Sequence, residues 1–151
     1  METSKATADV TLRLERSIAA TPDQVYRAWI ETEALIRWFG PGNDLATVVH
    51  TIDPRVGGGY RIEMRDSSGP HVVAGRFLEL DRPNRLVFTW KWENDPDRGD
   101  ETLVTVLLSP EGKGAHLVLL HERFASAELR DRHQKGWTGC FERLGTYLQP
   151  K

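Results

Sequence analysis

Five histidines, His50, His71, His116, His121 and His133, and one cysteine, Cys140, are the residues from which chemistry would most readily be built. The histidines show none of the spacings that hold a metal, such as the i, i+4 pair of a metalloprotease helix. A single cysteine excludes both an internal disulfide framework and a zinc site of several thiolates. No metal and no cofactor is therefore expected. No Gly-x-Ser-x-Gly elbow is present, and Cys140 sits among apolar neighbours on a long helical segment, where a thiol packs as a small hydrophobe. His121 alternates with Leu117 and Leu119 on one strand face, and an imidazole there can donate to or accept from a ligand near neutral pH. A single histidine so placed is more often a satisfied core residue. If the chain does acid–base chemistry, His121 with Glu79 or Asp53 is the first pair to test. No residue is assigned as catalytic.

A small-molecule pocket needs apolar and aromatic walls with a few convergent polar groups, and those ingredients are present. Tyr60, Ile62 and Met64 share one strand face, with Arg61, Glu63 and Arg65 on the other. Phe88, Trp90 and Trp92 share a second face, and Leu119 and His121 belong to a third. Trp137 and Phe141 on the long helix would look onto them, and Trp38 and Phe39 close a short helix. The same residues would also make a well-packed aromatic core. One register choice is open: a slip of one residue decides whether Phe77 and Glu79, or Arg76 and Leu78, lie beside Phe88 and Trp90.

The elements that must position these groups follow from periodicity. Val10, Leu12, Leu14 and Ile18 recur with period two, as in a half-buried strand. Thr21-Pro22-Asp23-Gln24 carries a capping residue, a proline at the first helical position and a glutamine three residues after the cap, which predicts a helix start. A second short helix begins at Thr32 and must stop at Gly40-Pro41-Gly42. Six β-rich runs follow, about 45–53, 59–66, 71–81, 85–93, 101–109 and 115–124, joined by short turns as an antiparallel meander. Gly57-Gly58-Gly59 opens the second of these and marks a bulge or sharp bend. Ser126 caps a helix of roughly 22 residues in which Leu129, His133, Trp137, Cys140, Phe141, Leu144 and Leu148 form one stripe. Gly136, Gly139 and Gly145 weaken that helix by about 1 kcal/mol each relative to alanine. Close packing or room for a ligand would explain them.

At 151 residues, with 39% hydrophobic and 28% charged residues, the chain fits one domain with its own core. The expected division is a flexible arm over 1–9 and a single domain over 10–151. A net charge of −2 leaves no basic excess for a row of phosphates, so nucleic acid is not an expected partner. No segment approaches the roughly 18 apolar residues of a membrane span, and the first nine residues lack the apolar core of a signal peptide. A cytoplasmic location and no membrane partner are the expectations.

Ala20-Thr21-Pro22 through Val25 and Trp29, Trp38-Phe39-Gly40-Pro41 and Asp53-Pro54-Arg55-Val56-Gly57-Gly58 form a recognisable set. So do Gly75 with Phe77 and Glu79, Arg85 to Trp90, and His133 with Gly136-Trp137. Together they resemble the small bacterial homologues of the activator of the heat-shock-protein-90 ATPase, in the START-like or SRPBCC superfamily. The resemblance runs from about Leu12 to Leu148. It implies an α+β helix-grip fold, like that of the birch-pollen allergen, with a curved antiparallel sheet of about seven strands around the C-terminal helix and a cavity between them. It also implies Phe77 on the inner face. The leading functional expectation is a binding protein for a hydrophobic small molecule. A cyclase, dehydratase or hydrolase, a chaperone-interacting module and a homodimer are the alternatives, because fold alone does not fix function.

Overall fold

The computed structural model describes residues 10–40, 42, 44–93 and 95–150; the expected arm over 1–9 lies outside them. Strand β1 (Val10–Ile18) leads into helices α1 (Pro22–Ile30) and α2 (Thr32–Trp38). Then come β2 (Ala46–Ile52), β3 (Gly59–Asp66), β4 (Gly69–Asp81), β5 (Arg85–Trp92), β6 (Thr102–Glu111) and β7 (Gly114–Phe124), and finally α3 (Ala127–Tyr147). The strands form one antiparallel sheet in the order β1-β7-β6-β5-β4-β3-β2. Each of β2 to β7 pairs with its chain neighbour, as a meander joined by short turns requires, and β1 adds to β7 at the far edge. This is the helix-grip arrangement: α3 packs along the concave side, touching β1, β7 and α2.

Local chemistry sets the helix ends. The Gln24 amide donates to Thr21 Oγ1 at 3.2 Å while the Thr21 amide donates to Gln24 Oε1 at 2.8 Å, the reciprocal pair of a capping box. Val25, Tyr26, Ala28 and Trp29 form the buried face of α1. In α2 the buried face is Ala34, Leu35 and Trp38, and the Trp38 indole N–H donates to the Ala28 carbonyl at 2.8 Å, locking α2 onto α1. The Ser126 hydroxyl accepts from the Leu129 amide and starts α3, whose inner stripe is His133, Trp137, Cys140, Phe141 and Leu144.

Two hairpins are tighter than the sequence suggested. Asp66 pairs directly with Gly69 and Glu111 with Gly114, so Pro70 and Pro110 lie inside strands rather than in turns. In the first, the Asp66 carboxylate accepts from both the amide and the hydroxyl of Ser68, doing locally what a longer turn would have done. The glycine run does make the sharp bend expected of it. Gly57 has φ +87°, and a Cβ on Gly58 would stand 2.1 Å from the Asp53 carbonyl oxygen. The bend is pinned to β4 by the Gly57 amide donating to the Phe77 carbonyl and the Phe77 amide to the Gly58 carbonyl, both at 2.8 Å.

The open register resolves through a bulge. Phe77 faces Phe88, but Glu79 faces Val87, so two residues of β4 oppose one step of β5 at Leu78. Phe77 is buried and Leu78 exposed. Glu79 is thereby turned to the outer face, where Arg85 pairs with it at 2.9 Å, and it does not accompany Phe77 inward.

Candidate functional site

Between the β3–β5 portion of the sheet and the middle of α3 lies a cavity of about 200 Å³. Met64 from β3 and Trp90 and Trp92 from β5 line the sheet side, and Phe39, just past α2, closes the inner end. Helix α3 supplies Arg132, His133, Gly136, Trp137 and Cys140, and the turn Pro96–Arg98 supplies Arg98. The walls are mostly aromatic: Trp90 and Trp137 have ring centroids 5.1 Å apart, and Phe39 stands 6.0 Å from each. Such tilted contacts fit the quadrupole preferences of aromatic pairs.

Gly136 decides how much room there is. A Cβ built on it meets nothing within 4 Å, so of the two explanations for a glycine here the structure leaves open space, not close packing. Gly145 likewise meets nothing but lies a good two turns further along α3. Gly75 is the opposite case: its Cβ would sit 2.0 Å from the Thr89 carbonyl oxygen, on a strand that a side chain would push apart.

Behind the walls, two histidines are fully committed. Trp137 donates its indole N–H to His121 Nδ1 at 3.1 Å; His121 Nε2 donates to the Thr102 hydroxyl at 2.7 Å, and Thr102 donates to the Trp90 carbonyl at 3.2 Å. This relay ties α3 to β7, β6 and β5. Trp92 donates to His133 Nε2 at 2.9 Å, and His133 Nδ1 donates to the Leu129 carbonyl at 2.8 Å. Both rings are thus held in one neutral tautomer. Burial pushes the His121 imidazole well below the usual histidine range, with His133 adding to it. For His133 burial again leads, and Arg98 and Arg132 lower it further. Burial also pushes the Cys140 thiol up to about 12, which leaves it un-ionised at neutral pH.

The cavity rim is cationic. Arg98 stacks its guanidinium over the Trp92 ring, 4.2 Å from the centroid, and places Nε 3.0 Å from Asp95 Oδ2 and Nη2 3.2 Å from His71 Nδ1. His71 in turn donates from Nε2 to Asp66 at 3.1 Å. Arg132 is exposed beside it. Desolvation, together with the neighbouring Arg132 charge, lowers the Arg98 pKa from its ordinary value, against the attraction of Asp95.

Of the residues singled out from sequence, Phe39, Met64, Trp90, Trp92 and Trp137 meet around this cavity. Tyr60, Ile62, Phe77 and Phe88 instead surround a second void of about 20 Å³, which Phe39 also borders. Trp38, Leu119, His121 and Phe141 line neither and are packed in the core. His121 is not brought to Glu79 or Asp53: the first pairs with Arg85 on the outer face, and Asp53 pairs with Arg55 at 2.9 Å. Arg98 and Arg132 were missed. Nothing local in the sequence marks either residue; only their adjacency across 34 residues makes them a pair.

Residues 19–149 match the family model described as activator of Hsp90 ATPase homolog 1-like protein. The chain belongs to this family. No match is found among the curated proteins. Among solved structures, a Chromobacterium violaceum protein is 30% identical, with a TM-score of 0.86 over 93% of this chain and 98% of its own. The AHSA1 protein from Silicibacter pomeroyi is also 30% identical, with a TM-score of 0.80 over 92% of this chain and 97% of its own. A Rhodobacter sphaeroides protein reaches 26% identity and a TM-score of 0.79, covering 91% of each chain. This member of the Hsp90-activator-like family therefore has the START-like, SRPBCC fold from end to end of the matched region. Among the described residues no helix is long and apolar enough to cross a membrane, and no group of three or more His, Cys, Asp or Glu is placed to hold a metal ion.

Proposed function

We propose that this protein binds a hydrophobic small molecule in the cavity between the sheet and α3. The observation that carries the proposal is the aromatic-walled space beside Gly136, where a helix gives up a side chain and nothing takes its place. An apolar cavity of about 150 Å³ is enough to hold benzene. One of about 200 Å³ suits a body of one or two fused rings, or a medium-length alkyl chain. Supporting it, the superfamily fold commonly holds hydrophobic ligands. The alternative of an acid–base enzyme has less behind it, since His121 and His133 have both ring nitrogens engaged by protein groups.

The test is a thermal-shift screen of the intact protein against small aromatic compounds, flavonoids, medium-chain fatty acids, sterols and bile acids. A ligand bound only by the native state at 100 times its Kd stabilises by about 2.7 kcal/mol. Upward shifts confined to the small aromatic and medium-chain compounds are expected. A flat response across all classes contradicts the proposal.

A further inference from the structure

The charged side chains that line this cavity, Arg98 and Arg132, are both cations. His133, Trp92 and Trp137 have spent their ring nitrogens on other protein groups. No carboxylate lines the space, whereas two guanidinium groups do. A neutral apolar ligand would make no use of either guanidinium.

Arg98 is not an ordinary solvated surface arginine. Its plane is fixed by stacking on Trp92, and Asp95 and His71 hold Nε and Nη2. Its Nη1 makes no hydrogen bond among the described residues, and neither does Arg132 make an ion pair. A guanidinium held in advance on an aromatic face presents its remaining donors at low entropic cost, and its geometry suits a planar oxyanion. Asp95 is the carboxylate in contact with it, set against two arginines at the rim. Asp66 is occupied by Ser68 and His71.

We infer that the ligand is an amphipathic carboxylate, with its apolar body among Phe39, Met64, Trp90 and Trp137 and its carboxylate at Arg98 and Arg132. This rests on the cavity being a binding site and names the class of molecule that enters it.

Calorimetric titration of the full chain with matched pairs tests it: 2-naphthoate against 2-naphthamide, and octanoate against octanol. The body is constant within each pair in all but the head group. Charge-assisted hydrogen bonds are roughly twice as strong as neutral ones, so the acid of a pair should bind about tenfold tighter than its neutral counterpart. That advantage should shrink with added salt. Arg132→Gln, at an exposed position, should weaken the acids severalfold and leave the neutral compounds unchanged. Arg98→Gln combined with Arg132→Gln should erase the difference. Because Arg98 also braces Trp92, Arg98→Lys supplies a second reading, with charge kept and the planar fork lost.

Equal affinity for acid and neutral partner, or acids indifferent to Arg132→Gln, overturns the carboxylate inference and leaves the hydrophobic pocket standing. Failure of all four compounds to bind, or binding that persists in Gly136→Leu, overturns the pocket itself.

Discussion

Gly136→Ala should make the protein more stable, and Gly136→Leu should abolish ligand binding without unfolding it. The magnitude comes from two observations. Gly136 lies inside α3 with ordinary helical backbone, so alanine recovers about 0.8–1.0 kcal/mol of helix propensity. Its Cβ meets nothing within 4 Å, so no repulsion offsets that gain. For a chain of this size about 1 kcal/mol raises Tm by roughly 2–4 °C. Gly145→Ala is the matched control: it too has open space at Cβ and should give a similar gain, but it does not line the cavity and should leave affinity unchanged. Leucine at 136 extends a full side chain into about 200 Å³ and competes with the ligand for it. Urea and thermal melts give the stability, and calorimetry gives the affinity. A Gly136→Ala variant less stable than wild type would refute the reasoning, as would wild-type affinity in Gly136→Leu.

Gly75→Ala should instead destabilise by about 3 kcal/mol, at the upper end for overpacking, because its Cβ would overlap the Thr89 carbonyl; a melt within 1 kcal/mol of wild type contradicts this. His121 and His133 are neutral in the native protein with depressed pKa values, so the unfolded chain binds more protons once pH falls below about 6.5. Stability should then drop on acidification from that value down to the native pKa values, by up to about 1.4 kcal/mol per pH unit for each histidine. Urea midpoints between about pH 5 and 7 check it, and a flat profile would contradict it. Asp66, held down to about 2 by Ser68 and His71, enters only below the ordinary carboxylate range. Cys140 lines the cavity but has its thiol pushed up to about 12, so it is un-ionised at pH 8 and should react with a thiol reagent far more slowly than a free thiol until urea opens the fold. Labelling as fast as a free thiol in native buffer would contradict that raised pKa.

The sheet and the three helices were legible because each carries a local signature. Period-two alternation marks β1, a capping box starts α1, and an apolar stripe with a serine cap defines α3. Departures occur where one residue changes the geometry without changing the pattern. The bulge at Leu78 sends Glu79 outward, and nothing in the run Gly75 to Asp81 distinguishes that from simple alternation. Pro70 and Pro110 suggested turns that side-chain and glycine chemistry made shorter. For the site, sequence picked out the aromatic walls but not the rim. Which aromatics border open space and which are core depends on packing at the scale of a methyl group. Trp38 and Phe141 thus fall in the core while Trp90 and Trp137 face the cavity. Arg98 and Arg132 come together only because the Pro96–Arg98 turn docks against α3.

The five tryptophans offer the most direct measurement of whether the cavity is the binding site. In nitrogen-15 spectra of the labelled protein, titration with 2-naphthoate should move the indole N–H signals of Trp90, Trp92 and Trp137. That of Trp38, bonded to the Ala28 carbonyl in the core, should stay in place. The same titration of Gly136→Leu should move none of them. Wild-type signals that stay fixed, or shifts confined to residues away from the cavity, would contradict the assignment of this space as the ligand site.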